Sequence, residues 1–186
     1  MKKNLKRRDF IKKAGLVGAA ATAVSSFAAP AIAAGHQEWI ICSAFGKAGL
    51  LGQAIQAFAD NINSYSDKLK IKVYHAGELV PGLESLDAVR SGAAQASYGA
   101  PYYWTNLSDA IEFVATCPFG MNAMEQNAWC YYGGGIEEAD KIYNALGLKF
   151  LPMGNTGNQM GGWFNKEINT SDDYKDLKMR IPGLGG

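Results

Sequence analysis

The sequence predicts an α/β fold built on a parallel sheet. Two observations carry this. Short β-rich runs alternate with amphipathic helical segments, strand–helix–strand–helix–strand, within about sixty residues. The stretch that follows an N-terminal leader is roughly 150 residues long, enough to bury a core of its own. In open parallel sheets ligands sit beyond the C-terminal ends of the strands, so the loops there are the first place to look for function.

The leader is residues 1–34. Lys2, Lys3, Lys6, Arg7, Arg8, Lys12 and Lys13 face one acid, Asp9, and an alanine-rich apolar run follows from Ala14 to Ala34. A basic start, an apolar centre and a small-x-small ending at Ala31-Ile32-Ala33 make a cleaved export signal, with cleavage expected near Ala33 or Ala34. The run is too rich in Ala, Gly, Ser and Thr to read as a spanning helix. The order Lys6-Arg7-Arg8-Asp9-Phe10-Ile11-Lys12 resembles a twin-arginine signal; an ordinary secretory signal with two arginines is the plainer alternative. The chain carries 18 basic and 17 acidic residues, of which seven and one lie in this leader, so the remainder carries about −5. Without a basic stripe, nucleic acid is excluded as an expected partner.

The elements follow in order. Glu38–Ala44 is short, apolar and β-rich, a first strand. Leu50–Tyr65 places Leu51, Ile55, Phe58 and Ile62 at helical spacing. Leu69–Val73 alternates with period two, a second strand. His75–Gly82 is a loop punctuated by Gly and Pro. Leu83–Ser91 is a short helix stopped by Gly92, and Gln95–Tyr98 is a third strand. Asn122, with Glu125 three residues on, has the pattern of a capping box opening a helix through Tyr131 that breaks at Gly133-Gly134-Gly135. Ile136–Leu146 is a further helix capped by Gly147. Leu148–Met153, Gly161–Phe164 and Leu177–Ile181 read as three more strands, the last two joined by a polar turn at Asn169–Asp173.

Three loops should therefore line the crevice: Ser43–Gly46, His75–Gly82 and Gly99–Trp104. The third contains Tyr102-Tyr103-Trp104. Aromatic residues usually fill cores, but three in a row cannot all point inward. One tyrosine hydroxyl facing a ligand is the functional reading, and core filling the plain one.

Arg180 stands among Leu177, Met179 and Ile181, which suggests a largely buried strand. Its guanidinium donates two parallel hydrogen bonds to one carboxylate, which lysine cannot do. A buried arginine needs a partner. That partner is a protein acid in a structural ion pair, the reading composition alone favours, or an anionic ligand. Twenty-one residues earlier, Gln159 lies in Asn158-Gln159-Met160-Gly161-Gly162. The small neighbours of its amide permit close approach to a ligand, and its oxygen suits a hard cation such as Na⁺ or Ca²⁺; a solvated hinge glutamine is the plain reading.

Cys42, Cys117 and Cys130 form no CxxC pair and no metal-spaced cluster with His36 and His75. Buried, inert thiols are expected, and nothing requires Cys117 and Cys130 to pair. The glycine clusters lack the Lys-Ser/Thr of a phosphate cradle.

Four stretches together carry a family resemblance: Ala76–Gly82, Trp129–Gly135, Gly154–Ile168 and Lys178–Gly186. The run Gly-Asn-Thr-Gly-x-Gln-Met-Gly-Gly-Trp-Phe and the run Lys-Met-Arg-Ile-Pro-Gly, at this separation, are its most specific parts. With the leader, the sequence resembles the periplasmic solute-binding subunit of TRAP transporters, in the subgroup that binds 2-oxo acids and related monocarboxylates. The resemblance implies a two-lobed, type II-like α/β clamshell without a catalytic cofactor. Lobe one would take residues 35–152, and residues 153–186 would hold the hinge and first strands of lobe two. It implies that Arg180 pairs with the ligand carboxylate and that Gln159 touches both ligand and a bridging Na⁺ or Ca²⁺. Asn158, Tyr102, Tyr103 and Trp104 complete the candidate ligand contacts. The implied partners are a small carboxylate such as pyruvate and a TRAP membrane permease. Family members run well past Gly186, so the chain is expected to be a fragment holding lobe one and the start of lobe two. The remaining cation ligands and the elements of a family homodimer are expected beyond it.

Two other readings compete. An exported oxidoreductase with a cofactor would suit a twin-arginine signal, but the sequence has no iron–sulfur or haem motif, dinucleotide fingerprint or nucleophile elbow. The receptor of an ATP-driven importer shares the clamshell plan.

Overall fold

The computed structural model describes residues 37–115 and 117–181; the expected export signal and its expected cleavage site lie outside them. Three strands, β1 (Gln37–Ser43), β2 (Leu69–Tyr74) and β3 (Ala96–Tyr98), form a sheet in the order β2-β1-β3. β1 and β3 are parallel, with Ile41 opposite Ala96 and Ser43 opposite Tyr98. The helices are α1 (Leu50–Tyr65), α2 (Ser85–Arg90), α3 (Ala123–Tyr132) and α4 (Gly135–Ala145). Short 3₁₀ turns occupy Gly82–Glu84, Pro101–Trp104, Asp109–Val114 and Ser171–Tyr174.

The apolar run of β1 has a direct cause. The strand is central and covered on both faces, so successive side chains both need to be apolar. Ile41 packs with Ile55 and Ala59 of α1 and Ile71 of β2. Its neighbour Cys42 packs on the other face with Ala88 of α2 and Ala94, flanked by Ile40, Val80 and Val89. Ile55 is 1% exposed, a burial that stabilises by roughly 1.5–3 kcal/mol.

α1 has the limits its periodicity predicts, but its face is rotated. Gly52, Ile55 and Ala59 are the buried residues, and Phe58 is 40% exposed. The rotation follows from Gly52. A Cβ there would stand 2.1 Å from the Gly46 carbonyl oxygen, so the helix start presses directly on the backbone after β1.

The second predicted helix is shorter than its pattern. Gly82–Glu84 is a 3₁₀ turn with Leu83 61% exposed, and the α-helix begins at Ser85. α3 opens on the predicted capping box: Asn122 Oδ1 accepts from Met124 and Glu125 N–H at 3.0 Å, and Glu125 Oε2 accepts from Asn122 N–H at 2.8 Å. α4 ends with Gly147 in the left-handed region at φ 75°, where Leu148 N–H bonds Tyr143 O. Tyr143 and Ala139 of α4 join Leu86, Trp104, Ile111 and Val114 in the largest buried cluster.

Three expected strands are not formed. Leu148–Met153, Gly161–Phe164 and Leu177–Ile181 have no ladder partner among the described residues. A strand exists only as a pair, and alternation in sequence does not supply the neighbour. The last segment keeps its period: Leu177 and Met179 are half-buried, Lys178 and Arg180 exposed. The expected turn at Asn169–Asp173 is a capped 3₁₀ turn. Asp173 Oδ2 accepts from Asn169 N–H, Thr170 N–H and Thr170 Oγ1. Cys42 and Cys130 are buried free thiols whose pKa burial raises, but Cys117 is exposed, against the expectation of three buried thiols.

Candidate functional site

The three predicted crevice loops are held together by their own backbones at one edge of the sheet. Ala44 N–H donates to Tyr98 O at 2.8 Å, joining the loops after β1 and β3. Ala76 N–H donates to Phe45 O at 3.1 Å, joining the loops after β1 and β2. Ser43 Oγ, buried, accepts from Phe45 N–H at 3.0 Å and turns the chain so that the Phe45 ring heads the first loop. In the second loop, Gly77 sits at φ 86° and Glu78 Oε2 accepts from His75 N–H at 2.9 Å. The His75 ring is buried, with Nε2 3.3 Å from Gln56 Oε1 of α1.

The third loop places its aromatics unequally. Phe45 meets Tyr98 edge-on at 5.5 Å and Tyr103 at 6.0 Å; Tyr102 meets Tyr103 edge-on at 5.1 Å. Tyr102 and Tyr103 are half-buried. Trp104 is buried, and its indole N–H is spent on the Leu83 carbonyl at 2.8 Å.

Arg180 acts on this cluster from the far end of the chain. Burial pushes the Tyr102 phenol above its ordinary pKa and the neighbouring Tyr103 adds to the rise, while the Arg180 guanidinium pulls it down. A cation lowers a phenol only at short range in partly screened surroundings, so Arg180 and Tyr102 share one region. The expected burial of Arg180 does not hold: it is exposed on an unpaired segment. The ion pairs among the described residues join Arg90 to Asp87, Lys141 to Glu138, Lys149 to Asp140 and Lys175 to Asp172, and none of these involves Arg180.

Gln159 stands on a separate segment. It is exposed, and its Nε2 donates to Thr156 Oγ1 at 2.8 Å. Thr156 in turn lines an open groove of about 470 Å³ with Phe45, Gly46, Gly49 and the first residues of α1. The segment bearing Gln159 runs beside the one bearing Arg180: Gly162 has no Cβ where Met179 Cε would be 2.5 Å away, and Trp163 and Phe164 share a groove with Leu177 and Met179. Asn158 is exposed next to Gln159. Thus Tyr102 and Tyr103 pack together, the charge of Arg180 bears on Tyr102, and Thr156, the hydrogen-bond partner of Gln159, shares a groove with Phe45. Phe45 and Thr156 were not singled out from sequence. Their position, one at a strand end and the other inside the Gly-Asn-Thr-Gly run, is the signal that marks them.

With its amide nitrogen engaged, the Gln159 oxygen is the atom left for a hard cation. Among the described residues no three His, Cys, Asp or Glu side chains gather as a metal site, and no helix is long and apolar enough to cross a membrane.

A parallel pair of strands whose C-terminal ends carry loops headed by clustered aromatic rings suits the ligand crevice of an α/β binding protein. The chain belongs to the bacterial extracellular solute-binding protein family 7, DctP, whose pattern matches residues 44–185. It is 50% identical over 119 residues to the monocarboxylate 2-oxoacid-binding periplasmic protein of Nostoc sp., covering 64% of this chain and 33% of that one. Among solved structures it is similar to a TRAP periplasmic solute-binding protein of Pseudoalteromonas atlantica with bound sodium and pyruvate (TM-score 0.76, 42% identity, 81% of this chain and 46% of that one). A counterpart from Colwellia psychrerythraea with bound calcium and pyruvate gives the same TM-score and identity over 81% of this chain and 47% of that one. A TRAP solute-binding protein of Bordetella bronchiseptica, with copurified calcium and picolinate, is 30% identical at TM-score 0.76, over 82% of this chain and 46% of that one. The fold class is therefore that of the two-lobed TRAP receptors. The chain spans 33% of the curated relative and under half of each of these solved ones.

Proposed function

We propose that the protein is a periplasmic receptor, not an enzyme, that binds a small 2-oxo acid such as pyruvate and delivers it to an ion-gradient-driven TRAP permease. The observation that carries this reading is the exposed guanidinium of Arg180, whose charge bears on the Tyr102 phenol beside Tyr103. A ligand carboxylate between them would accept two hydrogen bonds from the guanidinium and one from a tyrosine hydroxyl. Gln159 and Asn158 supply amide groups on the second side, and the Gln159 oxygen is the ligand this chain offers to a bridging Na⁺ or Ca²⁺. Such a cation would neutralise part of the anion's charge and fix its orientation. The relatives that hold pyruvate with sodium or with calcium support the ligand and cation classes.

Residues 35–152 serve in this reading as lobe one, and 153–186 as hinge and opening of lobe two. Export in this reading runs by the twin-arginine route. Calorimetric titration of the purified full-length protein with pyruvate, in Na⁺ or Ca²⁺ and again after chelation and Na⁺ replacement, tests the core of it. Binding that weakens when the cation is withdrawn is expected. Cation-independent binding removes the bridge, and no binding of pyruvate or related 2-oxo acids removes the receptor assignment.

A further inference from the structure

We infer that Trp104 is a positioning residue and not a ligand contact: it locks the three strand-end loops to one another and so sets where Tyr102 and Tyr103 stand. The inference rests on the binding role proposed above for the two tyrosines.

The indole is 6% exposed, and its N–H donates 2.8 Å to the Leu83 carbonyl in the turn that closes the loop after β2. Its six-membered ring fills the space over Gly99, just after β3: a Cβ at Gly99 would lie 2.3 Å from Cη2 and 3.0 Å from Cζ3. The same Cβ would lie 3.1 Å from the Ala44 Cβ, just after β1, and Ala44 packs against the cluster that contains Trp104. One side chain thus binds the ends of all three loops. The contact is directional. An indole turned away from Leu83 would leave a buried donor without an acceptor, so the ring has one favourable setting. Tyr103 packs on that ring at 6.0 Å, and Tyr102 on Tyr103 at 5.1 Å. For Trp104 to donate to a ligand it would have to abandon the Leu83 carbonyl.

The test uses the purified full-length protein with ¹³Cζ-labelled tyrosine and pyruvate as the probe ligand. Trp104→Phe keeps aromatic bulk and removes the N–H and the second ring; Gly99→Ala drives the ring from the opposite side. Ile111→Val, in the same buried cluster, is the control for general loosening. Each tyrosine's titration is followed by NMR and each variant's pyruvate affinity by calorimetry. Both loop variants are expected to weaken pyruvate about tenfold and to move the Tyr102 titration back toward that of an ordinary phenol, and Ile111→Val to do neither. An unchanged Tyr102 titration and affinity in Trp104→Phe overturns the inference. So does an equal effect of Ile111→Val. If pyruvate does not bind the wild type while the Tyr102 titration still moves only in the loop variants, the positioning role stands and the receptor assignment falls.

Discussion

Gly52→Ala sets two effects of opposite sign against each other. Alanine in place of glycine inside a helix is worth about 1 kcal/mol of propensity. Here the added Cβ would sit 2.1 Å from the Gly46 oxygen, 2.9 Å from the Gly46 carbon and 3.0 Å from Lys47 Cα. Ordinary contact needs roughly 3.5 Å, so backbone must retreat by about 1 Å or more, with no flexible side-chain tip to give way. Overpacking of this kind costs about 1–3 kcal/mol. The upper part of that range applies, because the displaced loop also carries the Gly49 N–H to Gly46 O bond and the Ser43–Phe45 turn. The net is a loss of roughly 1–2 kcal/mol, which lowers Tm by about 3–6 °C for a chain of this length. Circular dichroism melting reads it directly. Because Phe45 moves with the loop, pyruvate binding should weaken as well. A Tm equal to or above wild type would mean that α1 does not press on the Gly46 carbonyl, and the geometry assigned to the first loop would be wrong.

Two smaller predictions concern the caps. Asn122→Ala should cost about 1 kcal/mol by removing the acceptor for two N–H groups at the start of α3, read as a lower Tm with early fraying of Ala123–Glu125 in hydrogen exchange; unchanged protection there would count against the capping box. The backbone N–H groups of Thr170 and Asn169, and then the Thr170 hydroxyl, hold the Asp173 carboxyl below its ordinary value of 3.8. A depressed folded pKa means the turn's stabilisation is present above the ordinary value and is lost as pH falls through the lower one, so the Asn169 and Thr170 amide resonances should titrate with a midpoint below 3.8, and a midpoint at or above it would refute the bonds.

Local signals in the sequence carried over where the physics is local. The limits of α1 follow from spacing, the start of α3 from a side chain and a backbone three residues apart, and the existence of β1 from its short apolar run. What failed depends on distant partners. Leu177–Ile181 alternates as a strand does, yet pairing needs a neighbour the pattern does not contain. Trp104 was legible as an aromatic in a crevice loop, but its burial comes from Leu83, twenty-one positions away, and from the bare Cα of Gly99. The Asp109–Val114 turn buries only Ile111 and Val114 of its four apolar residues, and six residues are too few to show a period. At the candidate site, Arg180 and Gln159 stood out by residue type, but that Arg180 reaches Tyr102 required the fold.

The account stands or falls on Arg180 as the grip of a carboxylate. Calorimetric titration of pyruvate into wild type and Arg180→Lys measures this most directly. Replacing the two-pronged guanidinium with a point charge should cost roughly 1.5–3 kcal/mol, a weakening of about ten- to 150-fold, with Tm unchanged because the side chain is exposed. Equal affinity in the two proteins would contradict the account and take Arg180 out of the site.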